Sequence, residues 1–315
     1  MEACKGVPSL EYFVVDVFTN EPLAGNPLAV VMNTCGLTTE QMQSIACEFN
    51  LSETTFIERR DEATERAEGV RVRIFTTQEE LNFAGHPTLG TASVLKMRAP
   101  ETVQHDTVTL KENVGPIPVR FEMGAEGSKG AGSSAGLFGE MTQRDPEFGA
   151  ELDGATVARL TGLESDDLDA ALPPQVVSTG TAFAVVALRS QEALARLKVN
   201  QAEATAWLRE RGARWFYVVA PDPDQDQEKT KCYRARMQFN GGEDPATGSA
   251  AGCAIAYLVA RGAVRPGTRV LLRQGVEMGR PSELFLSAQK ENARVSDVRV
   301  AGSTVLVANG QLFLP

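Results

Sequence analysis

Two short stretches of this chain repeat one pattern half a chain apart, and the repeat limits the fold more than any other feature. His86-Pro87-Thr88-Leu89-Gly90-Thr91-Ala92 and Asp244-Pro245-Ala246-Thr247-Gly248-Ser249-Ala250 both read [His/Asp]-Pro-x-x-Gly-[Ser/Thr]-Ala, 158 positions apart in 315 residues. Each opens a run of small or apolar residues, Ser93-Val94-Leu95 in one and Gly252-Cys253-Ala254-Ile255 in the other. The second copy is written like a helix start, with Asp244 as N-cap and Pro245 at N1, where a missing N–H costs nothing. The small residues let a ligand reach the first-turn N–H groups, which carry partial positive charge. A small carboxylate is the guest that suits such a mouth.

The flanking segments repeat as well. In the first half, strands are expected at 12–17, 28–32, 54–58 and 70–76, with a loop at 20–27. A helix capped near Thr38 carries Met42, Ile45, Ala46 and Phe49 at helical spacing and stops near Asn50. Residues 78–84 lead to the His86 helix, and strands at 103–108 and 117–123 follow. In the second half, 176–177 and 182–188 match the opening strands. A single helix is expected over 191–211, with Leu194, Leu197, Ala204 and Leu208 on its buried side. Strands at 215–219 and 233–239 lead to the Asp244 helix, and 270–272, 283–287 and 295–300 finish the copy. A terminal strand at 303–314 has the pattern to pair in either half. The two Ala/Gly-rich helices lack a polar face, so each is expected inside a curled sheet. The expected organisation is an α/β (α+β) chain of two related domains, 1–128 completed by 303–315, and 129–302. The Gly-rich stretch 124–139 reads as a flexible excursion, and 221–231 as a charged surface loop.

A chain of this length is too long for one ordinary core and suits two. The 31 basic residues against 41 acidic, a formal charge of −10, exclude an electrostatic footprint for nucleic acid or an anionic membrane. No apolar run approaches the ~18–20 residues that span a bilayer, and the start does not read as a signal peptide. Five scattered cysteines point to a reducing cytoplasm rather than a disulfide framework. Their spacings do not suit zinc, and with His86 and His105 as the two histidines no metal centre is expected.

Two such half-sites facing each other across an inter-domain cleft would point both helix N-termini at one small anionic substrate. At the mouths stand an imidazole, His86, and a carboxylate, Asp244. A third candidate is Glu53, in Leu51-Ser52-Glu53-Thr54-Thr55-Phe56, because a partly desolvated carboxylate has a raised pKa and can shuttle protons near neutrality. Each has a plainer reading beside it. Asp-Pro is a common helix cap, Glu53 alone reads as a solvated loop carboxylate, and Gly25-Asn26-Pro27 reads as a turn from which Asn26 could reach a ligand. His86 is a poor N-cap, which favours function. Cys47 and Cys253 read as core cysteines.

Together these stretches resemble a known family. Asp16-Val17-Phe18-Thr19, Gly25-Asn26-Pro27-Leu28-Ala29-Val30-Val31, Leu51 to Phe56, Phe83-Ala84-Gly85-His86-Pro87-Thr88, Glu243 to Ala250, and Gln274-Gly275 with Gly279-Arg280-Pro281-Ser282 are similar, in order, to the motifs of the phenazine-biosynthesis PhzF-like family. The resemblance implies a diaminopimelate-epimerase-like fold, two pseudo-symmetric units each with a β-barrel-like sheet around a central helix. It implies a cofactor-free isomerase, often a homodimer, that moves a proton on a small carboxylate such as trans-2,3-dihydro-3-hydroxyanthranilate. Glu53 would take and redeliver the proton, and His86 and Asp244 would hold and polarise the substrate. Gly85, Thr247, Gly248 and Ser249 would line the anion pocket, with Asn26 in reach. Asn82 stands where the family often has proline, and 239–243 is shorter than usual. The same fold also supports epimerases and racemases, which use two cysteines at the helix mouths, where this chain has His86 and Asp244. A binding protein that keeps the pocket without catalysis is the third alternative.

Overall fold

The computed structural model describes residues 9–122, 136–223, 230–239 and 242–314. The chain divides into two compact units, Met1–Met141 with Gly302–Pro315, and Thr142–Ala301. The boundary expected between 128 and 129 lies outside the described residues, as do most of the Gly-rich stretch and much of the 221–231 loop.

The first unit contains β1 (Ser9–Val17), β2 (Asn26–Val31), α1 (Thr39–Phe49), β3 (Glu53–Glu58), α2 (Glu62–Glu68), β4 (Val70–Phe75), β5 (Glu80–Leu81), α3 (Gly85–Arg98), β6 (Thr107–Glu112), β7 (Gly115–Phe121) and β8 (Leu137–Thr142). Its strands run in the order β1-β2-β3-β4-β6-β7-β8 and close through the end of the last strand of the chain, which pairs back onto β1 from Ser9↔Phe313 to Val17↔Thr304. The β2/β3 and β4/β6 pairs are parallel and the others with a stated register are antiparallel. Inside lies α3, buried without a break from Gly85 to Leu95. Its polar members stay buried because they bond locally: Ser93 to the Leu89 carbonyl at 2.8 Å, and Thr91 to Thr55 at 2.8 Å. Gly90 is required by closeness, since a Cβ there would lie 2.6 Å from Leu28 Cδ2 and 2.8 Å from Val17 Cγ2. Outside the barrel α1 has the expected Thr38 cap and ends at Asn50 in left-handed conformation, laying Met42, Ile45 and Ala46 on Phe56 and Phe75.

One expected strand shifts. His105 and Asp106 adopt left-handed backbone, φ 48° and 61°, so the strand read at 103–108 begins at Thr107 and runs on to Glu112. The end of the Gly-rich stretch is also a strand rather than a loop, because Gly139 in β8 pairs with Phe121.

The second unit repeats the plan with β9 (Glu147–Glu151), α4 (Gly154–Thr161), β10 (Gln175–Ser178), β11 (Ala182–Ala187), α5 (Gln191–Arg196), α6 (Gln201–Glu210), β12 (Trp215–Pro221), β13 (Lys231–Arg236), β14 (Gln238–Phe239), β15 (Gly242–Glu243), α7 (Gly248–Ala260), β16 (Val270–Gln274), β17 (Ser282–Glu291) and β18 (Arg294–Phe313). The order is β9-β10-β11-β12-β13-β16-β17-β18, with the first part of β18 on β17 and parallel β11/β12 and β13/β16 pairs. These parallel pairs fall where β2/β3 and β4/β6 fall in the first unit, which is the duplication seen as topology. At its centre α7 is buried from Gly248 to Val259. The terminal strand thus serves both barrels, its first part in the second unit and its last part in the first.

Two expectations fail here for clear reasons. The helix expected over 191–211 breaks between α5 and α6. The Arg236 guanidinium takes the Leu194 and Ala195 carbonyls, both at 3.0 Å, Gln238 Nε2 takes the Leu197 carbonyl at 3.1 Å, and Asn200 caps a new start. Asp244 is not an N-cap either. α7 begins at Gly248 behind Thr247, because Asp244 and Pro245 are held in a preceding turn by Ser282, whose hydroxyl donates to the Pro245 carbonyl at 2.8 Å, and by Gln274.

Candidate active site

In the first unit the parallel strands β2 and β3 start at the same end of the barrel, so their opening residues, Asn26 and Glu53, come to one place. α3 starts there too, with Gly85 and His86 as its first two residues and no side-chain cap. Its first N–H groups therefore have no partner within the helix. Asn26 Nδ2 lies 3.2 Å from His86 Nδ1. The amide can only donate there, so Nδ1 accepts and the imidazole proton sits on Nε2. Nε2 is 3.3 Å from Glu53 Oε2. Burial pushes the His86 imidazole down to about 3, so the ring is neutral near pH 7. The result is a neutral imidazole whose Nε2 lies close to a carboxylate without the geometry of a hydrogen bond to it, and the carboxylate keeps some access to solvent, its side chain 16% exposed. A carboxylate beside an imidazole, at a helix mouth, can take up and return a proton.

In the second unit Asp244, Thr247 and Ser249 are buried together around the start of α7. Thr247 Oγ1 lies 2.5 Å from Asp244 Oδ2, and Gly248 and Ser249 are the helix's first two residues. Cys253 lies one turn further in, where burial pushes its thiol up to about 11 and it bonds to Thr179 and the Thr181 carbonyl. It is a structural thiol, as expected, whereas Cys47 is exposed on α1 and not a core residue. Among the described residues no group of three His, Cys, Asp or Glu side chains converges as metal ligands would, and no helix is long and apolar enough to cross a membrane.

Two groups are not among the site residues expected from the sequence, although Gln274 stands in one of the motifs that carry the resemblance. Glu112, at the end of β6, is buried with Oε1 2.6 Å from Thr88 Oγ1. Gln274, at the end of β16, is fully buried against Asp244 and Thr247. Alternation would have found Glu112, since Val108, Leu110 and Glu112 share the inward face once the strand is started at Thr107.

Comparison with known proteins agrees with this architecture. A model of the phenazine biosynthesis-like (PhzC-PhzF) family matches residues 15–310. An uncharacterised isomerase of Mesorhizobium japonicum is 33% identical over 96% of this chain and 98% of its own. The trans-2,3-dihydro-3-hydroxyanthranilate isomerase of Pseudomonas aeruginosa is 32% identical over 96% of this chain and 99% of its own. The crystal structure of a phenazine biosynthesis protein of the PhzF family from Bacillus anthracis superposes with a TM-score of 0.82 at 25% identity, covering 98% of this chain and 100% of that one. The fold is the diaminopimelate-epimerase-like one that the motifs imply. The chain belongs to the phenazine biosynthesis-like family, and it is an isomerase of that family.

Proposed function

We propose that this isomerase moves a proton on a small carboxylate of the trans-2,3-dihydro-3-hydroxyanthranilate type, without a cofactor, and that Glu53 carries the proton. The observation that carries the reading is a neutral His86 imidazole with Nε2 3.3 Å from Glu53 Oε2 at a helix start without a side-chain cap. Glu53 as carboxylate accepts a proton from a substrate carbon and returns it to another carbon of the same conjugated system. His86 polarises a substrate oxygen or nitrogen through its Nε2–H, and Asn26 fixes its tautomer. The N–H of Gly85 suits a carboxylate guest, as do those of Gly248 and Ser249 in the second unit, where Asp244 holds a cationic or hydroxyl substituent. The relative from Pseudomonas aeruginosa supports this substrate class by its name.

The test is deuterium wash-in followed by NMR in D₂O, with trans-2,3-dihydro-3-hydroxyanthranilate beside small unsaturated and α-amino carboxylates. Wild type is expected to place deuterium in one compound at a new carbon, and Glu53→Gln to lose at least about 10²-fold of that rate. Undiminished exchange by Glu53→Gln would remove Glu53 from the role, and wild type inert towards the whole panel would remove the substrate class.

A further inference from the structure

We infer that Gln274 is a positioning residue for Asp244: its side-chain amide sets the direction of the Thr247 hydroxyl and thereby holds a hydrogen-bond donor on Asp244 Oδ2. The inference rests on the proposed role of Asp244 as a substrate-holding carboxylate.

The directions are forced by what each group can do. Gln274 Oε1 accepts from the Tyr217 hydroxyl at 2.8 Å and from the Thr247 N–H at 3.1 Å. Nε2 donates to the Asp244 carbonyl at 2.7 Å and to Thr247 Oγ1 at 2.9 Å. A backbone N–H cannot accept and a carbonyl cannot donate, so the amide cannot be turned over, and both its donors and both its acceptor sites are used. Because Thr247 Oγ1 receives a proton from Gln274, its own single proton goes to Asp244 Oδ2, 2.5 Å away. At the far end, burial and then the charge of Asp244 keep the Tyr217 hydroxyl protonated, so it always donates. Polarity therefore runs one way, Tyr217 to Gln274 to Thr247 to Asp244. Such a chain costs nothing at the moment of reaction, because the donor on the carboxylate is oriented beforehand.

Gln274→Glu changes one end of the amide from donor to acceptor at nearly constant shape. The Thr247 proton is then drawn to the new carboxylate and away from Asp244. In crystal structures of wild type and Gln274→Glu we expect the Thr247 Oγ1 to Asp244 Oδ2 contact to open beyond about 3.5 Å in the variant, the limit of a hydrogen bond. An unchanged contact overturns the inference, and this readout needs no substrate. In deuterium exchange with trans-2,3-dihydro-3-hydroxyanthranilate, Gln274→Glu and Thr247→Val should each lower kcat/KM about 10- to 100-fold, as for a lost hydrogen bond to a charged group. Thr247→Ser should recover most of the rate. In an Asp244→Asn background the same changes should cost less than about 3-fold. Losses that simply multiply with that of Asp244→Asn would mean a structural role and overturn the inference. An Asp244→Asn enzyme as fast as wild type would overturn the role of Asp244 and this inference together, whatever the crystal structures show.

Discussion

Behind the helix that carries His86 stands a carboxylic acid, and behind the helix that follows Asp244 stands an amide. Glu112 and Gln274 are each the last residue of the strand after the central helix, β6 and β16, and each reaches a threonine near the helix start. The mechanical task is the same, but the charge consequences differ. Thr88 Oγ1 lies 2.7 Å from the Ala84 carbonyl and 2.6 Å from Glu112 Oε1. Thr88 has one proton, and both the Ala84 carbonyl and Glu112 Oε1 lie where they accept it. Burial pushes Glu112 up to about 8, against the opposing pull of the Thr88 bond and of Arg71. An amide in the second unit makes its bonds at every pH. The acid in the first is held neutral by burial and takes on a charge as pH rises through about 8.

The largest expected effect separates these two anchors. An acid whose pKa is raised by folding contributes fully below its unfolded value, about 4.5, and its contribution is lost as pH rises through about 8. The raised value corresponds to roughly 4–5 kcal/mol across that window. Glu112→Gln should therefore match wild type in denaturant unfolding near pH 4.5 and exceed it by several kcal/mol near pH 8.5. Equal pH slopes for the two proteins would show that Glu112 is ionised in the folded state, and the contrast with Gln274 would collapse.

The second comparison concerns the glycines on which the two helices are seated. A Cβ on Gly252 would fall 1.9 Å from Gln143 Oε1 and 2.6 Å from its Cδ. Gln143 is buried and bonded, donating to the Gly248 carbonyl at 2.9 Å and accepting from Thr179 at 2.6 Å, so it cannot move away without leaving polar groups unsatisfied. Gly90 instead faces the ends of Leu28 and Val17, which can shift. Gly252→Ala should cost about 3 kcal/mol in urea unfolding, combining overpacking with lost buried bonds, and Gly90→Ala about 1–2 kcal/mol. The reverse order would mean that the apolar seat is the more rigid one.

Much of this was legible before the structure. The repeat around His86 and Asp244 contains the duplication, the buried helices and the ends at which a site can form, because small residues, proline and a missing polar face each have a direct steric reading. The motifs around Asn26, Glu53 and His86 also point to residues that the fold brings together. What stayed hidden depends on tertiary partners. The sequence of 191–211 is helical throughout, and the break follows from Arg236 and Gln238 on other strands taking its carbonyls. Asp-Pro reads as a cap until Ser282 and Gln274 are seen to hold it one turn early. The left-handed backbone of His105 and Asp106 moved a strand start, and with it the inward face that exposes Glu112 as an acid among apolar residues.

The smallest contrast is also the closest in geometry. Just before each helix an arginine grips a glutamate seven residues on through two bonds: Arg73 to Glu80 at 2.8 and 2.6 Å, and Arg236 to Glu243 at 2.8 and 2.7 Å. The side chains of the first pair are 15% and 23% exposed, and those of the second 9% and 13%. Arg236 also holds the Leu194 and Ala195 carbonyls, whereas Arg73 reaches Thr39 at the surface at 3.0 Å. Removing one partner of a buried pair leaves an uncompensated charge, while solvent shields a more open one. Glu243→Gln should thus lower stability by about 2 kcal/mol and Glu80→Gln by about 0.5–1 kcal/mol. In 1 M salt the Glu80 pair should lose most of its contribution and the Glu243 pair little, because screening acts on exposed charges. If the two variants lose the same stability and respond alike to salt, then burial does not distinguish the pairs, and the two helix entrances are held with equal strength.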